Sequence, residues 1–472
     1  MVGQDGLFED VEGSGLRSRR KHVRNALVFR NPRHTQSQPQ VLAPTIGEMI
    51  PEDSPVRMYL AMTNSLKFTS LLDTYFPFGG ISYDPRILAA LWLFAATDGV
   101  HTSRELEKHC QYDVRYMFLA GGQVPDHTTL SRFRNRLTFI SEDFFAETVE
   151  LAKGLGLGVS GTATLDGRKT AGALDQWQKL RKNTTEAELC EVSDPEARTL
   201  RCTRTGFVNG YSCMACVDAQ DDIVLGASIS RESNDAQALG PLLEAIRSQN
   251  SEFPSTLVMD AGFEGSECAG QLARANVLAF IGQKEPLFWD LDADGEVVCP
   301  AGHRLTKSVH DKPQPHQRYR IHQCTKCLVK GLCGVKDSKT ITVKSREDPK
   351  DLVRANILAN TPEGRMHLAY RQGSIERLFA QLFYHQKFRA FTLRGMLGAK
   401  IQFHLLSAAH NLRVIAKRLQ EMFGSEALKT LESIYRALFS RLFELTHHKI
   451  QTKRTRFAKA CFRYGPFLEI HS

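Results

Sequence analysis

The sequence predicts an α/β fold in which a mixed sheet is flanked by helices. An all-helical amino-terminal domain precedes the sheet and a Cys/His-rich insert interrupts it. Three observations carry this reading. Residues 49–150 place apolar residues at helical spacing between cap and turn signals. Beyond Gly161 short strand-like runs appear, with helical stretches between the later ones. Residues 291–345 turn polar and collect Cys and His.

The segments follow in order. Residues 1–48 are polar and basic, with "RSRRKHVRNALVFRNPR" carrying seven of the cations, and are expected to form a disordered arm. In 49–150, "SPVRMYLAMTNSL", "DPRILAALWLFAATDG", "TSRELEKHC" and "PDHTTLSRFRNRL" read as helices; Thr102 and Glu105 fit a capping box, and Asp126 can cap the last helix. Two short helices before an Arg-bearing one have the order of a helix-turn-helix, so Arg132, Arg134 and Arg136 are candidates for DNA contact, a solvated charged face being the alternative. The first part of the core, 155–290, holds strands at "TATLD" (162–166), "GYSCMACVDA" (210–219), "DIVLGASIS" (222–230), "STLVMD" (255–260) and "NVLAFIGQK" (276–284). Helices at 235–249 and 265–275 fall between them. After the insert, 346–420 is a helical last part of the core, and 421–472 a helical basic tail. The sequence shows no internal repeat.

Composition narrows the function classes. The 472 residues are 42% hydrophobic and 24% charged, as in soluble globular proteins. Lys and Arg outnumber Asp and Glu by 61 to 52, and the net charge of +9 favours a polyanionic partner. The longest apolar run, "ILAALWLFAA" (87–96), is about half of a membrane span, and the acidic, Gly-bearing start does not resemble a signal peptide. A cytoplasmic protein without membrane contact is expected. Eleven cysteines then read as reduced thiols with room for one metal site.

"TLVMDAGFEGSE" (256–267) raises the chemical question, because a strand that reads as core ends in the carboxylate of Asp260. An acid in a turn is ordinary, since its side chain bonds nearby backbone N–H groups. "TATLDGRKTAG" (162–172) repeats the design with Asp166, where Asp-Gly is also a hairpin signal. Strands of one sheet ending in Asp can set two acids side by side at the crevice, and a divalent cation relieves their repulsion. A third acid, Glu376, lies in "GSIERLFAQLFYHQKF" beside the apolar stripe of Ile375, Leu378, Phe379, Leu382 and Phe383. With Ser374 as N-cap it would fall in a first turn, where an acid merely offsets the helix dipole. If all three acids converge, the oxygen donors suit two Mg²⁺ or Mn²⁺ ions about 3.5–4 Å apart, a clamp for phosphodiester displacement.

Taken in this order the motifs resemble the DDE transposases of bacterial insertion sequences, over roughly residues 49–415. The resemblance rests on "IPEDSPVRMYLAMTNSL", "YDPRILAALWLFAATDGVHTSRELEKHC", "PDHTTLSRFRNRL", "LDGRKTAG", "VMDAGFEGSE", "YRQGSIERLFAQLF" and "LRGMLGAKIQFHLLSAAHNLR". It implies a ribonuclease-H-like core in which Asp166, Asp260 and Glu376 hold the metals and catalyse cleavage at the element's ends and strand transfer. DNA would be the partner and the active complex at least a dimer. Arg371 and Lys387 become further candidates for DNA contact. The chain departs from the family at Phe383, where relatives often carry a basic residue, and in the spacing of Tyr370 from the glutamate. A transposase-derived DNA-binding protein with a dead core, and a nuclease that never joins strands, are the rival readings.

Cys324 and Cys327 form a CxxC pair, which Cys299 and Cys333 complete to a four-cysteine zinc set, with His303 or His322 as substitutes. Free thiols in an insert are the alternative. Cys213 and Cys216 sit three apart on a strand, so they face opposite sides and read as core. His410 lies on an apolar helix and reads as a buried, satisfied histidine.

Overall fold

The computed structural model describes residues 29–30, 45–75, 82–173, 194–202, 206–250, 252–283, 289–307, 317–321, 324, 327, 341–345, 348–431 and 433. Most of the expected amino-terminal arm, and residues 434–472 of the expected tail, lie outside them. Helices α1 (Pro55–Ser65), α2 (Pro85–Asp98), α3 (Ser103–Tyr112), α4 (Val114–Leu119), α5 (His127–Arg136) and α6 (Ser141–Gly154) form the amino-terminal region. The apolar run at 87–96 is the middle of α2 and is buried on every side, which explains its lack of amphipathic spacing. Asp84 caps α2 by accepting from Arg86 N, and Gly99 ends it at φ +81°. Thr102 caps α3 and Asp126 caps α5, both as the sequence indicates.

The sheet contains β1 (Thr162–Ala171), β2 (Arg198–Cys202), β3 (Gly206–Asp218), β4 (Val224–Ser230), β5 (Thr256–Met259) and β6 (Leu278–Ile281). β1 is central. It pairs antiparallel with β3 on one side and parallel with β5 on the other; β6 continues the parallel side. β2 and β4 share the outer edge of the long strand β3. Parallel neighbours need crossovers, and helices α7 (Asp235–Gln249) and α8 (Ser266–Arg274) supply them.

Two features differ from the sequence expectation. β1 does not stop at Asp166; it runs on through Gly167 to Ala171, because β3 is long enough to pair with all of it. Asp-Gly is therefore not a hairpin here. Glu376 is not in a first turn either. Its helix, α10 (Pro362–Ala380), follows α9 (Pro349–Asn360) and is capped by Thr361, with Pro362 at the first position. Ser374 lies deep inside it, fully buried, with Oγ 3.5 Å from Thr164 Oγ1.

Helix α11 (Gly395–Phe423) ties the two regions together, packing on β4, α6, α2 and α1. One hydrophobic core consequently runs from the amino-terminal helices through the sheet. The outer backbone of β4 is closed by side-chain amides. Asn411 accepts from Val224 N at 2.8 Å and donates to Val224 O at 3.0 Å; Gln249 does the same for Ala227 at 2.8 and 3.0 Å. Each amide imitates a neighbouring strand and leaves no open edge there. His410 Nε2 lies 2.9 Å from Asp222 O, in keeping with a buried histidine, and burial pushes its imidazole down to about 4.

The insert has a small core of its own, in which Val297, Cys299, Leu305 and Ile321 meet Val353 of α9.

Asn411→Leu should destabilise the protein by about 2–3 kcal/mol, because it strands two buried backbone groups of Val224. Urea unfolding followed by circular dichroism checks this, and Asn411→Gln should recover little, its amide lying one methylene further out.

Candidate active site

The register of the central strands sets the first two acids. Leu165 pairs with Met259 in the parallel ladder between β1 and β5, so Asp166 and Asp260 are the next residues on neighbouring strands. Parallel neighbours at equal register point to the same face, with strands about 4.8 Å apart. β5 ends at Met259, and Asp260 opens a short 3-10 turn, accepting from Gly262 N at 2.8 Å. A Cβ on Gly282 would meet the Asp260 backbone at 3.2 Å, so that glycine lets the two chain segments close up behind the acid.

The electrostatics follow from this closeness. Burial and the charge of Asp260 push the Asp166 carboxyl up to about 6. Asp235, at the start of α7, adds to the same effect, while the Gly167 N–H and the Arg371 guanidinium act against it. Arg371 Nη1 stands 3.2 Å from Asp166 Oδ2. Lys169 is ion-paired with Asp235. The contrast with Asp218, which also ends a strand, is instructive. Its two oxygens accept from Ser160 N and Oγ, Gln220 N and Asp221 N, so its lone pairs serve the turn. Asp166 and Asp260 have no such saturation.

Helix α10 crosses the sheet from β6 toward β3. His367 stacks on Phe280 of β6 at 4.8 Å, Arg371 meets Asp166 on β1, and Arg377 grips Asp222 in the turn between β3 and β4 at 2.8 and 3.0 Å. At 100° per residue, Glu376 falls on the row of Phe379 and Phe383. The Phe383 ring lies 3.9 Å under the guanidinium of Arg168. Arg168 is two residues beyond Asp166 and therefore on the same face of β1. Phe383 lies in the π-helical turn after α10, and Glu376, on the helix itself, is exposed. Among the described residues no trio of His, Cys, Asp and Glu is close enough to hold a metal ion. The structure brings Asp166 and Asp260 together and leaves Glu376 apart in this conformation.

The cationic candidates divide. Arg134 is buried, 7% exposed, with its guanidinium 4.5 Å from the Trp92 ring centre and Nη1 donating to His101 O. Its stem would leave a hole if it swung out, so it is a packing residue here and not a surface contact. Arg132 is exposed, and Arg136 is exposed while donating to Thr74 O over the Tyr75 ring. Arg371 is turned onto Asp166, away from solvent. Lys387 is not on the helix at all. It follows a π-helical turn at Gln381–His385 with φ +52°, and its stem lies against Gly99, where a Cβ would come within 3.1 Å. Sequence reasoning passed over Arg168 and the Lys169–Asp235 pair. Alternation from Asp166 was the available signal for Arg168.

Two parts of the chain are similar to known families. A family model described as a transposase DDE domain matches residues 298–416, and one described as a transposase domain (DUF772) matches residues 44–136. Two separate parts of the chain thus match transposase domains, as the order of its motifs suggests. A transposase DDE domain implies polynucleotidyl-transferase chemistry in general. The first match contains Arg371 and Glu376 but not the two aspartates. No curated protein matches the chain. Among solved structures, the cryo-EM structure of a piggyBac transposase synaptic complex with hairpin DNA is similar at 11% identity and a TM-score of 0.35, covering 89% of this chain and 87% of that one. No described helix is long and apolar enough to cross a membrane.

Of the cysteines, Cys299 is buried and Cys324 partly so against the same small core, while Cys333 lies outside the described residues. Cys213 and Cys216 are buried in β3 as expected; burial pushes the Cys213 thiol up to about 12.

Raised above its ordinary value, the Asp166 carboxyl contributes most to stability below about pH 4 and loses that contribution as pH rises through about 6. Asp166→Asn, in chelator, should leave stability near pH 4 almost unchanged and raise it at pH 7.5 by on the order of 2 kcal/mol. Thermal melts at the two pH values check the sign. Added Mn²⁺ should stabilise the wild type at pH 7.5 and not the variant.

Proposed function

We propose that this transposase cleaves DNA at the ends of its insertion sequence and joins them to target DNA, with Asp166, Asp260 and Glu376 as ligands of two Mg²⁺ or Mn²⁺ ions. The observation that carries the reading is the paired, unsaturated carboxylates on adjacent central strands, where burial first and the neighbouring charge of Asp260 second lift Asp166 to about 6. Two oxygen donors at that spacing fit a hard cation. When bound, such ions activate the attacking oxygen and stabilise the leaving one.

The strand order supports a ribonuclease-H-like core. Three antiparallel strands, β4, β3 and β1, are followed by the parallel β5 and β6, with Asp166 on the first strand in sequence of that set. Asp166, Asp260 and Glu376 would hold the ions, and Arg371, which now neutralises Asp166, would then be available to another anion. Asp166 has to be ionised to act as a ligand, so activity rises with pH through about 6. Arg132 and Arg136 on α5 are the exposed cations suited to DNA phosphate, and bringing two ends together calls for at least a dimer. The four-cysteine set, Cys299, Cys324, Cys327 and Cys333, would serve as a structural zinc site.

One observation favours a second reading, a transposase-derived DNA-binding protein: Glu376 stands apart from the aspartates. Duplexes covering both ends of the element separate the two. With Mn²⁺ the wild type should nick them, and Asp260→Asn or Glu376→Gln should lower the rate at least about 10³-fold. Binding without nicking under either ion would favour the second reading, and nicking unaffected by both substitutions would disprove the site.

A further inference from the structure

We propose that Arg168, seated on the Phe383 ring, is the side chain that grips a DNA phosphate beside the acid pair; the proposal rests on the transposase reading above. Alternation along β1 puts Arg168 on the face that carries Thr164 and Asp166, and those two residues meet Ser374 and Arg371 of α10. Arg168 reaches further along that face, to a guanidinium-to-ring distance of 3.9 Å over Phe383. The ring itself is held by Phe379 at 6.3 Å and Phe388 at 5.4 Å, so the platform is rigid.

The neighbouring cations are already engaged: Lys169 with Asp235, Arg371 with Asp166, Arg377 with Asp222. Among the described residues Arg168 alone of these four has no carboxylate partner, although Asp166 is two residues away on the same face. It is half-buried, so its charge is neither fully hydrated nor neutralised. A guanidinium stacked on an aromatic face keeps its N–H edge free, and that edge matches the paired oxygens of a phosphate. The ligand class is therefore a phosphodiester of the DNA strand lying across Asp166 and Asp260. Its position also accounts for the aromatic residue at 383. The cation comes from β1, and Phe383 is the surface that aims it.

The test uses the full chain, duplexes covering the element's ends, and Mn²⁺. Arg168→Ala should slow nicking by about 10²-fold, with its melting temperature within error of the wild type. Arg168→Lys should recover only part, a point charge lacking the planar fork. A neutral methylphosphonate placed at the contacted linkage should slow the wild type and leave Arg168→Ala no slower than on native DNA. Arg168→Ala combined with Phe383→Lys returns a cation to the same point and should regain rate. Binding gives a readout independent of cleavage: its salt dependence should flatten by about one phosphate contact in Arg168→Ala. Wild-type nicking and an unchanged salt slope in Arg168→Ala would overturn the proposal, as would equal slowing of both proteins by the methylphosphonate. Dead Asp260→Asn beside normal Arg168→Ala rejects Arg168 alone; an active Asp260→Asn rejects the site on which it rests.

Discussion

The parallel register between β1 and β5 is the constraint on which the rest of the site depends. Shifting it by one residue would turn Asp260 to the opposite face from Asp166. Held as it is, the ladder stops at Leu165 and Met259 and sets one acid on each strand immediately beyond. Two buried charges so close cost free energy, which is why Asp166 holds its proton to about pH 6 and why Arg371 leans onto it. The fold tolerates this cost because β1 is paired with β3 from Ala163 to Ala171 and with β5 as far as Leu165, so it cannot slide to relieve it.

Helix α10 is the second determinant. It lies across the sheet instead of along it, so its successive turns meet different strands. His367 belongs to the β6 end, Arg371 to the acids and Arg377 to the turn beyond β3. Its two flanks differ in chemistry. Arg377 pairs with Asp222 on one flank, and Phe383, in the turn just beyond the helix, meets Arg168. The π-helical turn that ends it brings the chain back to β1, where Phe391 N donates to Ala171 O.

Further stability comes from α11 and from the amide contacts that α11 and α7 make to β4. Asn411 and Gln249 satisfy backbone groups that an edge strand would otherwise present to other chains, and α11 joins the amino-terminal helices to the sheet in one core. The helices with the order of a helix-turn-helix are therefore anchored to the sheet through α11, and Arg134 ties them to one another through Trp92 and His101.

Much of the architecture was legible from the sequence. Period-two runs marked the strands and cap signals marked the helices, with Asp126 and Thr102 at the expected ends. The motif order also pointed to the family, and it drew attention to both aspartates because each follows an apolar run with a small residue next. Local pattern could not tell that Asp166 lies mid-strand, since Asp-Gly reads equally as a turn until a partner strand is long enough to pair through it. Nor could it cap α10 at Thr361 in place of Ser374, bury Arg134, or turn Arg371 onto an acid. Those outcomes depend on which strand lies beside which and on how one helix crosses them. Only the tertiary structure decides such contacts, because they join residues 33, 205 and 285 positions apart in the chain.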